Sequence, residues 1–272
     1  MPRDSSALAL PHALVLGLAQ GPTELLPVSS SAHTTLIPLL LGWPYGELGA
    51  ELRKSFELAL HAGAGAALAI DMRRELIDSA RRLDGRRAGV IALSLAPAAL
   101  AGPALRPLIE RRLGGTRSIA VGLAGGGVAM GVADACASRD RRPQGDARAA
   151  DGLALGIAQA FALVPGVSRY GATLTAARAR GFARADAQEL SWHAALPVML
   201  GASVLEGARL IRRGTRPGAG APLALGAAGA FVSTSLSARL LRRPGRALRS
   251  LLPFALYRVL LAALLLARPR RP

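Results

Sequence analysis

The chain has 272 residues, of which 51% are hydrophobic and only 4% aromatic, and its formal net charge is +17. A water-soluble domain of this length is ordinarily less apolar and richer in aromatics. The basic residues bracket apolar runs instead of forming one stripe interleaved with aromatics, which excludes a nucleic-acid binder and points to contact with membrane lipids.

In chain order, the first apolar segment is 7–19, about 13 residues and too short to cross a bilayer. Its core, Leu8–Ala19, superficially resembles a signal peptide, but only Arg3 precedes it and Pro11 and His12 interrupt it, so it is expected to be retained. A polar island follows, Gln20-Gly-Pro-Thr-Glu24-Leu-Leu-Pro27-Val-Ser29-Ser30-Ser31-Ala-His33. Three spanning candidates come next, 55–71, 88–105 and 117–137, and then a second short segment, 152–164. The second island is Pro165-Gly166-Val-Ser168-Arg169-Tyr170-Gly171-Ala-Thr173, after which come spans 189–208, 221–240 and 251–267. The pattern predicts an all-α polytopic membrane protein with about six transmembrane helices and two re-entrant helical hairpins. Irregular backbone at that depth has to be buried in protein or line a wet cavity.

The layout repeats, with repeat 1 at about 7–137 and repeat 2 at about 152–267 in a single integral membrane domain. Gln20 and Gln159 hold matching places, and Pro27-Val-Ser-Ser corresponds loosely to Pro165-Gly-Val-Ser168. An odd number of spans per unit makes this an inverted repeat, an arrangement that puts a site near the midplane. The loops 72–87, 139–148, 178–188 and 239–250 carry about eighteen arginines against about a dozen on the other side, which places the first set in the cytoplasm. The first hairpin would then enter from the outer face. The lone Cys136 excludes an intramolecular disulfide.

An ionisable group at membrane depth costs roughly 2.5–3.5 kcal/mol, so the islands call for a chemical reason. Ser29 is a natural N-cap for the helix after Pro27, leaving the amides of Ser30, Ser31 and Ala32 to favour an anion. In the second island Pro165-Gly166 makes the break, Ser168 offers a hydroxyl, and Arg169 adds a planar cation suited to two phosphate oxygens. Together they suggest a phosphorylated or diphosphorylated ligand. Two chemistries stay open: Ser30 as nucleophile, with Glu24 or His33 taking its proton, or Glu24 holding a divalent metal that orients water, with Gln20 as a neutral second ligand. The plain readings are that Ser29–Ser31 only cap a helix, that Glu24 is a solvated loop carboxylate, and that His61 and His193 are packing groups. Arg258 either snorkels to the interface or reaches the cavity. The Gly122–Gly131 stretch reads as close helix packing, not a nucleotide loop.

These islands resemble those of the bacterial undecaprenyl pyrophosphate phosphatases, the integral-membrane family also named for bacitracin resistance. The first is similar to the family's Glu/Gln-x-x-x-Glu motif with its Pro-Val-Ser-Ser-Thr-Gly-His extension, and the second to Pro-Gly-x-Ser-Arg-Ser-Gly-Ala-Thr. Lys54-Ser-Phe-Glu57, Ala195-Leu-Pro-Val-Met-Leu-Gly-Ala202 and Pro253-Phe-Ala-Leu-Tyr-Arg258 extend the likeness along nearly the whole chain. The resemblance implies removal of the terminal phosphate from a polyprenyl diphosphate lipid at the outer face of the bacterial inner membrane, recycling the lipid carrier of cell-wall synthesis. It also implies a Mg2+ or Ca2+ requirement and a homodimer. Carried over by position, Glu24, Ser30, His33 and Arg169 would be catalytic, with Glu24, and Gln20 beside it, at the metal. Gln20, Ser29, Ser31, Ser168, Thr173 and Arg258 would hold substrate. Four positions depart from the pattern: Gln20 where many members have Glu, Tyr170 for a small Ser, His61 for a common Gln, and Ser31-Ala32 for Thr-Gly. The competing function for such a fold is a transporter or flippase of a polyprenyl phosphate, which would bind through Arg169 without hydrolysis.

Overall fold

The computed structural model describes residues 8–137, 142–213, 218–241 and 248–267. These residues form eleven α-helices and no β-strand; a single isolated bridge joins Arg142 and Phe182. The helices are α1 (Leu10–Leu25), α2 (Ser30–Leu41), α3 (Ala50–Asp71), α4 (Arg73–Arg81), α5 (Gly85–Leu108), α6 (Thr116–Cys136), α7 (Ala149–Phe161), α8 (Arg169–Ala179), α9 (Arg184–Arg213), α10 (Gly220–Leu241) and α11 (Leu252–Ala267). Among the described residues, three stretches are long and apolar enough to cross a membrane: Gly85–Leu105 within α5, α6 and α10. Their outward faces carry Leu100, Val121 and Val232, and α11 shows Leu260 at 69% exposure. Rows of exposed aliphatic side chains of this kind suit hydrocarbon and would be an aggregation hazard in water. The chain is an all-α polytopic membrane protein.

The short segments around the islands are short helices. α1 and α7 span 16 and 13 residues, while α2 and α8 span 12 and 11, all below the roughly 20 that cross a bilayer. Span 55–71 lies inside α3, whose first turns bear Glu51, Arg53, Lys54 and Glu57, so this helix is amphipathic at one end and not uniformly apolar. The stretch expected as loop 72–87 contains α4, a two-turn helix with no buried residue. After it, Asp84 accepts a hydrogen bond from the Arg87 amide (2.8 Å) at the start of α5, and this bond holds its carboxyl below the usual carboxylate range. Arg139, Arg141, Arg242, Arg243 and Arg246 of the counted loops, Arg3, and the first residue of segment 7–19 lie outside the described residues.

The helices divide into two compact units. The first takes its described residues from Met1–Leu25, His33–Ser79 and Met199–Arg243. Here α1 and α3 both pack on α10, around Leu16, Phe56, Leu60 and Leu223. Glycines set those approaches. A Cβ at Gly17 would run into the Gly226 carbonyl, one at Gly21 into the Ser233 backbone, and one at Gly63 into the Ala227 carbonyl. The second unit takes its described residues from Leu26–Ala32, Ala80–Val198 and Pro244–Pro272. In it α5 packs on α7, α6 packs on α11, and α8 lies against both α6 and α7.

Two buried aspartates fasten the second unit. Asp134, near the end of α6, accepts from Arg178 Nε (2.9 Å), from Arg184 Nε (2.8 Å) and Nη2 (3.0 Å), and from the Leu251 amide (3.1 Å). Asp151, in the first turn of α7, meets Arg142 through two nitrogens (3.2 and 2.9 Å) and Arg180 Nε at 2.7 Å. A fully buried carboxylate survives only with such pairing, and the bidentate fork of arginine supplies it.

Candidate active site

In the first unit, α1 continues through the first half of its island, so Gln20 and Glu24 stand one helical turn apart on the same face. Gln20 Nε2 donates to Glu24 Oε2 at 3.1 Å and lies 3.4 Å from His61 Nδ1 on α3. His61 Nδ1 is 3.8 Å from the same carboxylate oxygen. Gln20 is buried, the Glu24 side chain is 9% exposed, and that of His61 is 43% exposed. Local chemistry keeps the helix intact past Pro22, which removes one amide from the ladder. Thr23 Oγ1 donates back to the Ala19 carbonyl (2.8 Å), and the Gly21 amide donates to Ser233 Oγ (3.1 Å), which in turn donates to the Gly17 carbonyl (3.0 Å). The carboxylate is therefore presented by a helix bound along its length to α10. His33, on α2, is buried in the same unit.

The second unit holds the break residues of both islands, and they share a backbone device. Ser29 and Ser168, each the last residue before a helix, have φ of 75° and 68°, and they are the only non-glycine residues at positive φ among those described. An L-residue pays roughly 1–2 kcal/mol for that conformation, so surrounding structure has to enforce it. Ser168 Oγ accepts from the Gly171 amide (3.1 Å), which satisfies one of the open donors of α8. Ser29 Oγ lies 3.3 Å from Ser31 Oγ. Ser30 is half-buried and Ser31 exposed at the start of α2, while Ser168 and Arg169 are half-buried at the start of α8. Thr173 is fully buried, with its hydroxyl 3.1 Å from the carbonyls of both Arg169 and Tyr170, a bond internal to α8. The Tyr170 ring packs on Trp192, with centroids 4.7 Å apart.

Arg258 enforces the strained breaks. It is fully buried on α11, and its guanidinium donates to the carbonyls of Val167 (2.6 Å), Gly166 (3.1 Å), Pro27 (3.4 Å) and Gly122 (3.4 Å). One side chain thus pins backbone from both islands and from α6. The glycine run of α6 makes room for this. A Cβ at Gly126 would collide with the Arg258 guanidinium, and one at Gly122 would collide with the Pro165 carbonyl. Sequence reading placed Gly122–Gly131 as close helix packing, and the structure shows what the run packs against.

Of the residues singled out by sequence, Gln20 and Glu24 meet in the first unit. Ser29, Ser30, Ser31, Ser168, Arg169, Thr173 and Arg258 belong to the second. The residue that sequence reading did not place at the site is His61, weighed as a packing group and noted as a departure from the family pattern. Its tie to Gln20 spans 41 positions, and no local spacing encodes such a meeting.

The trio is chemically suited to a divalent cation. It offers the Glu24 carboxylate, part of it faces outward, and Gln20, whose NH2 is turned to Glu24 and His61, could add only its amide oxygen. Among the described residues no group of three or more His, Cys, Asp or Glu is gathered to cage an ion. A cation here would keep positions open for substrate oxygens or water.

Helices that suit a membrane, together with polar breaks at the starts of short helices, define a polytopic membrane protein with a built polar centre. The chain belongs to the family described as bacitracin resistance protein BacA, whose profile matches residues 13–264. A protein of Geobacter sulfurreducens named undecaprenyl-diphosphatase is 40% identical over 271 residues, covering 94% of this chain and 97% of its own length. Proteins of the same name from Pelobacter propionicus and Geobacter metallireducens are each 38% identical. The first covers 92% of this chain and 93% of its own length, the second 93% and 95%.

Proposed function

We propose that the chain is a phosphatase of undecaprenyl diphosphate: undecaprenyl diphosphate and water give undecaprenyl phosphate and inorganic phosphate. The phosphoanhydride P–O bond breaks, and the lipid monophosphate carrier is recovered for cell-wall synthesis. The observation that carries the reading is the Gln20–Glu24–His61 trio, built on the Gln-x-x-x-Glu stretch of a chain whose relatives bear that enzyme's name.

Glu24 is the one carboxylate of the trio and accepts a proton from the attacking group. Gln20, locked to it by a hydrogen bond, fixes the orientation of the carboxylate. Ser30 at the start of α2 is the nucleophile: its Oγ bonds the terminal phosphorus as undecaprenyl phosphate leaves, water then hydrolyses the phosphoserine to release inorganic phosphate, and the positive end of the helix dipole stabilises negative charge beside it. Arg169 at the start of α8 takes two phosphate oxygens through its planar fork, with the Ser168 cap keeping that helix start in register. His33, Ser29, Ser31 and Thr173 shape the same helix starts, and Arg258 serves substrate by holding the breaks that present these groups. A divalent cation at Glu24 and Gln20, Mg2+ or Ca2+, would neutralise phosphate charge when bound. The proposal includes a homodimer in the bacterial inner membrane, with the two islands as halves of an inverted repeat and the site open to the outer face. The shared positive-φ serines support the repeat, and the arginine bias supports the orientation.

The test is phosphate release from undecaprenyl diphosphate by the purified chain with Mg2+, Ca2+ or EDTA. Metal-dependent release that is lost in Glu24→Gln is expected. No release by well-folded wild type with any metal would overturn the reading.

A further inference from the structure

We infer that Ser233, on α10, is a positioning residue for the chemistry at Glu24: its hydroxyl is stitched into the backbone of α1 and fixes the turn that carries the Gln20–Glu24 pair. The inference rests on the reading that Glu24 accepts the proton of the attacking group. It adds a residue 212 positions beyond Gly21 that acts through α1 and not on the substrate.

Three observations carry it. First, one hydroxyl reaches both ends of a single helical rung. In a regular α-helix the Gly21 amide would pair with the Gly17 carbonyl. Here the Gly21 amide donates to Ser233 Oγ at 3.1 Å, and Ser233 Oγ donates to the Gly17 carbonyl at 3.0 Å. The Ala230 carbonyl of its own helix, where a helical serine ordinarily bonds back, lies farther off at 3.3 Å. Second, α1 is weak at this turn. Pro22 brings no amide, so the rung from Leu18 is missing. The Thr23 hydroxyl bonds the Ala19 carbonyl at 2.8 Å and the Gln20 carbonyl at 3.2 Å, and back-bonding of this kind bends helices. With the positions at Gly21 and Pro22 altered side by side, the last turn of α1, with Glu24 on it, depends on α10 for its aim. Third, the contact is close and dry. Ser233 and Gln20 are both buried, and a Cβ at Gly21 would run into the Ser233 carbonyl and the Thr234 amide. All of these residues belong to the first unit, where α1 packs on α10. A hydroxyl tie between membrane helices elsewhere would only add stability. This one ends three residues before the carboxylate, where a misplacement of about 1 Å costs on the order of 10²-fold in rate.

The experiment is phosphate release from labelled undecaprenyl diphosphate by the full purified chain in detergent with Mg2+ or Ca2+, each rate normalised to folded, monodisperse protein. Ser233→Ala is expected to lower kcat by about 10–100-fold with KM within about threefold of wild type. Ser233→Cys, which keeps the size of the side chain but bonds weakly, should fall between the two. Ser94→Ala, which removes a buried hydroxyl bonded to its own helix at 2.8 Å, should turn over like wild type. In a Glu24→Gln background Ser233→Ala should cost nothing further, because the group that it aims is already gone. An equal loss in both backgrounds, or wild-type kcat in Ser233→Ala, makes Ser233 a tie between helices alone and overturns the inference. If Ser233→Ala does not fold, wild-type kcat in Ser233→Cys overturns it in the same way. Turnover that survives Glu24→Gln instead removes the reading of Glu24, and the inference with it.

Discussion

Gln20 and Gln159 each stand nine residues before a break serine, Ser29 and Ser168, and are both buried, yet they lead different chemical lives. Gln20 spends its amide hydrogens on a carboxylate and an imidazole, groups able to move protons or hold an ion. Gln159 donates to two backbone carbonyls, Ser94 at 2.8 Å and Ala194 at 3.2 Å, and among the described residues its carbonyl oxygen has no partner. The same residue type thus meets ionisable groups in one unit and main chain in the other. The surroundings decide: α3 delivers His61 to the first, whereas α5 and α9 deliver only main chain to the second. The breaks behave oppositely, since Ser29 and Ser168 share one strained conformation and one arginine pins the backbone of both islands. The islands are alike where they bend and unlike where they react.

The largest effect that sharpens this contrast is expected at Glu24. Glu24→Gln removes the proton acceptor and should lower phosphate release by about 10²–10⁴-fold in steady-state assays, while the melting temperature moves little. Next comes the shared clamp. Arg258→Ala removes the guanidinium that donates to the carbonyls of Pro27, Gly122, Gly166 and Val167, and a loss of about 3–5 kcal/mol is expected in denaturation of the purified protein. Gly126→Ala, which puts a methyl group against the same guanidinium, should mimic part of that loss. A smaller effect separates the glutamines. Gln159→Ala should cost about 1–2 kcal/mol in stability at nearly unchanged turnover, whereas Gln20→Ala should lower turnover by more than it lowers stability. Equal behaviour of the two would break the comparison. The smallest effect concerns strain: Ser29→Gly relaxes a positive φ and should be neutral or stabilising by about 1 kcal/mol, yet reduce activity, because the break is held for function.

Much of this was legible in the sequence, for identifiable reasons. The short helices flanking each island follow from Pro and Gly punctuation and from apolar lengths of about 13 residues, and α2 starts directly after Ser29, the residue expected to cap it. The Gln20–Glu24 pair was readable because i,i+4 spacing puts two side chains on one helical face. The rest depends on long-range packing. His61 reaches Gln20 across 41 residues, and Arg258 reaches Pro27 across 231; both contacts are set by helix docking that no local pattern records. The strain at the two serines was also hidden, because serine is at home in ordinary caps with negative φ. The α4 helix was missed for a simpler reason: an arginine-rich stretch with no buried face gives no apolar period to read.

The central claim is a division of labour, with chemistry at the Gln20–Glu24–His61 trio and anion holding at the helix start that carries Arg169. The most direct measurement is the affinity of purified protein for a non-hydrolysable diphosphonate analogue of undecaprenyl diphosphate, in chelator, for wild type, Glu24→Gln and Arg169→Ala. The account predicts that Glu24→Gln binds within about threefold of wild type, while Arg169→Ala binds at least about tenfold more weakly. Binding that is lost in Glu24→Gln and kept in Arg169→Ala would contradict it.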